Sequence, residues 1–472
     1  MANKTSNTKM SLFTLVMISS ALTISVRNFP TEAETGMHMI FFALFAAIFF
    51  FIPVSLVAAE LATGWPKQGG VYVWIKEAFG DRLGFVGIWL QWSYMIIGII
   101  SMLYFVGGSF AFVLAPHLTQ NRFFLMIVLL VVLWGTTFFN LQGQKTSNKI
   151  STIGFLSGVL IPGILIIIFG TIYILKGNPL EINMHVTFKN LIPNLGQLST
   201  WVLLVSFIRA FSGIEVSSCH AADVEKPKTN YPIAIFIVIV LGLFFNILGP
   251  LSVAASVPQK QISLFAGFME AFSIFFSKFN MQWVTSIMGL LVTLGAIGGV
   301  STWIMGPIKG LLATAKSGGL PPFFQKINKN GVPSRLLITQ GIMTSLIGCT
   351  FLLMPRLNIA YWTSVATAMI IYFIMYIMML LSGLRLRYKA PQVQRNYKIP
   401  FGNIGMWIVC IVGILTLSLG ITVAFFPPAQ FSIENGPLYV TSLILGVLTI
   451  LVIPFIIYQF KKPSWKIVQK QK

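Results

Sequence analysis

Long apolar runs alternate with short polar connections along almost all of the chain. A helix needs about twenty mostly apolar residues to cross a bilayer. By that rule the pattern predicts twelve spans, at 11–31, 37–62, 83–114, 121–140, 149–175, 197–220, 230–256, 283–312, 334–354, 358–384, 404–426 and 437–460. A further apolar stretch, Leu264–Phe279, is shorter and flanked by polar residues, and is expected to lie as a helix over the outer face. The sixth span breaks the pattern. Its core, WVLLVSFIRAFSGIEVSSCH (Trp201–His220), is apolar enough to cross, yet holds Arg209, Ser212-Gly213 and Glu215 within seven residues. Ionisable groups at membrane depth are expensive and face a cavity or a substrate path. Small polar residues beside them predict a helix interrupted at mid-membrane, as in carriers.

Composition supports a lipid-solvated chain. Of 472 residues 56% are hydrophobic and only 9% charged, where soluble domains carry roughly a quarter. The net charge is +21, but 24 of the 32 Lys and Arg fall in segments on one side of the twelve spans and 6 on the other, leaving Arg27 and Arg209 inside spans. That asymmetry satisfies the positive-inside rule with both termini cytoplasmic. The basic patches therefore suit anionic membrane lipid, and no nucleic acid is expected. No cleavable signal peptide is evident at the basic start. Cys219, Cys349 and Cys410 lie in separate apolar segments without metal or redox spacing. No cofactor is expected.

Arg209 lies about twelve residues into its span, roughly 18 Å deep at 1.5 Å per residue, near the middle of a core about 30 Å thick. Either it faces the cavity and pairs with a substrate carboxylate, or it pairs permanently with Glu215 or backbone carbonyls and holds the broken helix. Arg27, three residues before Pro30, either guards the external vestibule or snorkels to the headgroups. Two arginines near the transport path favour an acidic substrate over a basic one. Glu215 is either a carboxylate that protonates during a cycle or the ion-pair partner of Arg209. Glu60 reads as a structural tie between a loop and helix ends.

The loop AAELATGWPKQGGVYVWIKEAFG (Ala58–Gly80) joins helix breakers to an amphipathic stretch that can lie along the interface. This segment resembles the signature loop of the amino acid–polyamine–organocation (APC) transporters. FIPVSLVAAELAT (Phe51–Thr63), SMLYFVGG (Ser101–Gly108), GIEVSSCH (Gly213–His220), KNGVP (Lys329–Pro333) and YKIPFG (Tyr397–Gly402) are similar to the bacterial glutamate/γ-aminobutyrate antiporters within that superfamily. The resemblance runs from about residue 11 to 460. It implies an all-α polytopic membrane protein of twelve helices with a 5+5 inverted-repeat, LeuT-like core and broken helices 1 and 6. The corresponding layout is a tail at 1–10, a ten-helix core at 11–385, two peripheral helices with a preceding basic loop at 386–460, and a basic tail at 461–472. In that fold the freed amides and carbonyls of the broken helices hold the substrate, here near Ser19, Ser20 and Ala21 and near Ser212 and Gly213. Trp303, Tyr372 and Tyr376 match aromatic positions that border the site; ordinary packing is the alternative for each. Tyr372 and Tyr376 are four apart and share a helix face. Where many proton-coupled members place a lysine on span 5, this chain has Thr152. With Ser301 and Thr302 it could form a sodium site, the alternative being exchange without an ion. Neither Arg27 nor Arg209 belongs to the pattern, so either the substrate differs or it is bound in another charge state.

The expected function is a secondary active antiporter in a bacterial plasma (inner) membrane, working by alternating access on amino acids. The resemblance implies an acidic amino acid such as glutamate exchanged for its decarboxylated product, γ-aminobutyrate, alongside a cytoplasmic decarboxylase that supports acid resistance. A transporter of neutral or basic amino acids, with or without a coupled ion, is the nearer rival. A channel is remote, since no filter motif is visible. An enzyme is not expected: His38, His117, His185 and His220 are scattered, without HExxH spacing.

Overall fold

The computed structural model describes residues 10–67, 69–143, 154, 156–218, 224–352, 354, 356–427 and 436–466. Thr152, Cys219 and His220 lie outside the described residues. Within them the chain is helical, with ten helices long and apolar enough to cross a membrane. The other two expected spans are also helical, and each misses that standard for a physical reason. Ser334–Leu352 is 19 residues long and carries Arg335, Gln340 and several hydroxyls. The stretch around Arg209 is divided into pieces.

The first span consists of α1 (Leu12–Thr23), capped by the Ser11 side chain, a short turn at Val26–Asn28, and α2 (Phe29–Ala33). The expected break at Ser19–Ala21 is therefore displaced. Those residues are helical, with the Ser20 carbonyl accepting from the Ile24 N–H, and the backbone becomes extended at Ile24 and Ser25. Pro30 lies in the first turn of α2, where its missing N–H costs no helical hydrogen bond.

Two helical stretches, α3 (Met39–Ala46) and α4 (Ile52–Gly64), are joined by one wider turn. The amphipathic α5 (Val71–Phe79) leads into the 34-residue α6 (Asp81–Leu114). Next come α7 (Arg122–Leu141) and α8 (Ile161–Leu175). The sixth span is α9 (Leu204–Ala210) and α10 (Ile214–Ser218), separated at Phe211–Gly213. There Gly213 has φ +113°, a conformation only glycine adopts freely. A Cβ on it would lie 2.9 Å from the Trp303 ring and 3.1 Å from the Leu22 carbonyl oxygen, so this glycine lets the break close onto the end of α1.

The chain continues through α11 (Pro227–Ser256), α12 (Gly267–Lys278), α13 (Val284–Lys316), α14 (Ser334–Leu352), α15 (Leu357–Lys389), α16 (Gly402–Ala424) and α17 (Gly436–Gln459). Twelve residues are too few to cross, and α12 caps one end of the bundle with Phe268, Phe272, Phe275 and Phe276 buried. Its lead-in is pinned to α15, where Asn358 accepts from the Leu264 N–H and donates to the Ile262 carbonyl. Helices α6 and α15 are the most enclosed of the spans and α17 the least.

At the end rich in basic loops, a buried ion network ties α4 to α15. Arg387 donates to both Glu60 oxygens at 2.5 and 2.6 Å, Arg395 approaches at 3.5 Å, and the Ile399 N–H donates at 2.8 Å.

Candidate functional site

The two broken helices meet between α6 and α15. Arg209 ends α9 at 7% exposure. Its guanidinium donates to the Ser101 hydroxyl at 2.7 Å and the Tyr361 hydroxyl at 3.3 Å, and lies over the Tyr361 ring. Glu215 opens α10 at 1% exposure, where a carboxylate suits the positive end of a helix. It accepts from Tyr372, from Tyr376 at 2.6 Å and from the Gln91 amide at 3.2 Å. The Tyr376 hydroxyl also accepts from the Gly213 N–H at 3.0 Å, so one side chain bridges the break and the carboxylate.

These partners place the two charges at separate levels. Ser101 and Gln91 are ten residues apart on α6, about 15 Å along the axis. Tyr361 and Tyr372 are eleven apart on the antiparallel α15, which is about three turns and hence the same face. Arg209 and Glu215 therefore do not satisfy each other. Between the levels, Tyr94 stacks on Tyr372 with ring centroids 3.7 Å apart and meets Trp303 edge-on at 6.4 Å. Trp303 in turn lies against Gly213.

Arg27, in the turn between α1 and α2, lies within electrostatic reach of Arg209, Tyr361 and Tyr94. Its Nε is buried and makes no hydrogen bond. The residue as a whole is half-buried. Glu32 on α2 is fully buried, within electrostatic reach of Arg209, and neither of its oxygens is hydrogen bonded.

Of the residues singled out by sequence, Arg27, Arg209, Gly213, Glu215, Trp303, Tyr372 and Tyr376 thus share one region. Ser212 sits in the break, its hydroxyl donating to the Ile208 carbonyl. Ser19 and Ser20 are buried inside α1 and Ala21 is exposed, before the break rather than in it. Of the residues suggested for a sodium site, Ser301 donates to the Asn140 side chain and Thr302 to the Gly298 carbonyl, donor bonds that do not use their oxygen lone pairs. Gln91, Tyr94, Ser101, Tyr361 and Glu32 were not foreseen. Gln91, Tyr94 and Ser101 carried a signal, since polar groups at intervals of three and seven along an apolar span fall on one stripe.

The arrangement offers two guanidiniums, that of Arg209 buried and that of Arg27 half-buried, two carboxyls and an aromatic wall beside interrupted helices, which suits holding a small charged solute. Relatives point the same way. An uncharacterised transporter of Legionella pneumophila is 39% identical over 447 residues, 95% of this chain and 96% of its own. A glutamate/γ-aminobutyrate antiporter of Lactococcus lactis subsp. lactis is 33% identical over 459 residues, covering 96% and 90%. A probable agmatine/putrescine antiporter of the same organism is 22% identical over 399 residues, covering 83% and 82%. These are transporters, not enzymes. With a family description of amino acid permeases matching residues 10–451, the chain belongs to the amino acid permease family of the APC superfamily, a group of membrane transporters.

Proposed function

We propose that this protein exchanges acidic amino acids, such as glutamate, for a decarboxylated product or another amino acid across a bacterial plasma membrane. The observation that carries the reading is Arg209. It is buried at the end of a broken helix with neutral hydroxyls as its hydrogen-bond partners, so its charge is not consumed by a structural ion pair. A desolvated guanidinium of this kind binds a carboxylate strongly and in a fixed orientation. Arg27 adds a second positive charge to the same region. A carboxylate is drawn to these guanidiniums, whereas a cationic solute such as that named for the agmatine/putrescine relative would have to bind at Glu215 or Glu32 instead. The antiporter of Lactococcus lactis supports glutamate as the anion.

In this reading the basic end is cytoplasmic, both termini included, and alternating access works by rearrangement of α1–α2 and α9–α10 around the site. The close approach of Gly213 to Trp303 and to the Leu22 carbonyl couples the two broken spans mechanically. Ligand-induced thermal stabilisation of purified protein tests the substrate class, because a ligand that binds only the folded state raises the melting temperature with concentration. Glutamate and aspartate are expected to stabilise the wild type but not Arg209→Gln. Stabilisation by arginine or lysine alone would refute the reading.

A further inference from the structure

A cleft of about 650 Å³ opens at the basic end of the molecule, away from the broken helices. It lies between the end of α5, the last turns of α15 and the start of α16. Phe79, Leu381, Leu384 and Trp407 form its apolar wall, and Arg385, Tyr388 and Lys389 its polar rim. On α15 the positions 381, 384, 385 and 388 recur at intervals of three and four, so one helix face supplies wall and rim together. Arg387, between them in sequence, is turned inward to Glu60.

The rim carries positive charge with no carboxylate against it. The Arg385 guanidinium lies over the Phe79 ring, 4.8 Å from its centroid, a contact that orients it. Among the described residues Arg385 is in no salt bridge. Its planar fork of N–H groups matches two oxygens of one phosphate. Lys389 donates to the Glu77 and Ala78 carbonyls at 2.7 and 3.3 Å, at the C-terminal end of α5. The Tyr388 hydroxyl accepts from the Trp407 indole at 3.0 Å and keeps its own proton to donate. Acidic groups on the packed elements are already matched. Glu77 on α5 pairs with Lys67 at 3.3 Å, Asp81 at the start of α6 pairs with Lys76 at 2.7 Å, and α16 carries no charge.

The apolar wall decides between kinds of anion. Trp407 sits in a row of exposed apolar residues on α16 with Ile404, Ile408 and Ile411. In a membrane transporter that row faces hydrocarbon, so the cleft continues into the lipid phase. A tryptophan and a tyrosine at its mouth suit the headgroup level. A soluble anion would satisfy the rim and leave the wall in water, whereas a lipid covers both.

We propose that this cleft is a binding site for an anionic phospholipid. The headgroup phosphate takes Arg385, Lys389 and the Tyr388 hydroxyl, and the acyl chains run past Trp407 along α16. Basic pockets between membrane helices are suited to such headgroups. The bound lipid joins α5, α15 and α16 beside the Glu60 network, and so stabilises that junction whichever solute the protein carries.

The test uses the purified full chain in neutral detergent, with phosphatidylglycerol or phosphatidylcholine of the same acyl chains as probe. The readout is the lipid concentration that gives half the maximal rise in melting temperature. Wild type is expected to respond at lower concentration to phosphatidylglycerol. Arg385→Gln removes one exposed charge and should shrink that preference roughly fivefold. Lys326→Gln, an equal charge change at an exposed position elsewhere on the basic end, should leave it as in wild type. Equal response of wild type to the two lipids would overturn the proposal, a result that needs no variant to fold. An undiminished preference in Arg385→Gln would overturn it equally. Stabilisation by glycerol phosphate to the same extent as by phosphatidylglycerol would show a soluble-anion site and overturn the lipid assignment.

Discussion

Tyr372 and Tyr376 both donate to Glu215, yet removing their hydroxyls should have unequal effects. In Tyr376→Phe the carboxylate loses its partner on Oε2 and the buried Gly213 N–H loses its acceptor. A hydrogen bond to a charged group contributes about 1.5–3 kcal/mol, and leaving a buried donor unsatisfied costs about 1–3 kcal/mol. The two losses share one hydroxyl and do not simply add. Together they come to about 3–4 kcal/mol. In Tyr372→Phe, Oε1 keeps the Gln91 amide and no backbone group is orphaned, while the phenyl ring still stacks on Tyr94. The loss there is about 1.5 kcal/mol. The difference, about 2 kcal/mol, corresponds to roughly a thirtyfold ratio in an equilibrium constant. Thermal unfolding of the two purified variants should order them wild type, Tyr372→Phe, Tyr376→Phe. Hydrogen exchange across 207–218 should accelerate in Tyr376→Phe and change little in Tyr372→Phe. Equal destabilisation by both, or retained protection of the Gly213 amide in Tyr376→Phe, would refute the bridging role.

Other perturbations follow from the same geometry. Gly213→Ala forces a side chain to φ +113° with a contact of 2.9 Å to Trp303, and should lower melting temperature and stop exchange; backbone strain alone costs about 1–3 kcal/mol. Glu60→Ala leaves Arg387 and Arg395 buried without their counter-charge, and should destabilise by about 3–5 kcal/mol, read as early unfolding and poor recovery from the membrane. Burial raises the Glu270 carboxyl to about 7, against the opposing hydrogen bond from the Ser263 N–H. The folded state therefore binds this proton more tightly than the unfolded one, so its contribution to stability falls as pH rises from about 4.5 to about 7. Thermal melts of Glu270→Gln should show a shallower decline over that window than wild type.

Much of the fold could be read from the chain because span length and charge asymmetry are one-dimensional properties. The second break was legible at Ser212-Gly213, since glycine is the residue that positive φ demands. The first was misplaced because serines looked like breakers, whereas inside α1 they keep helical hydrogen bonds and the backbone leaves the helix only at Ile24 and Ser25. Arg209 and Glu215 were recognisable as buried charges, but their partners were not, because proximity in sequence suggested a mutual pair. Only the antiparallel stacking of α6 on α15 shows that Ser101 with Tyr361, and Gln91 with Tyr372, form two levels. Glu32 escaped notice because it sits near a predicted span end, where a carboxylate in water would be unremarkable. The short α2 and the covering α12 put it inside instead.

The most direct measurement of the central claim is counterflow in proteoliposomes loaded with unlabelled glutamate, following uptake of labelled amino acids of each charge class. Rapid uptake of glutamate or γ-aminobutyrate that needs internal glutamate, proceeds without sodium and disappears in Arg209→Gln is the predicted result. Uptake confined to neutral or basic amino acids, unaffected by that substitution, would contradict it.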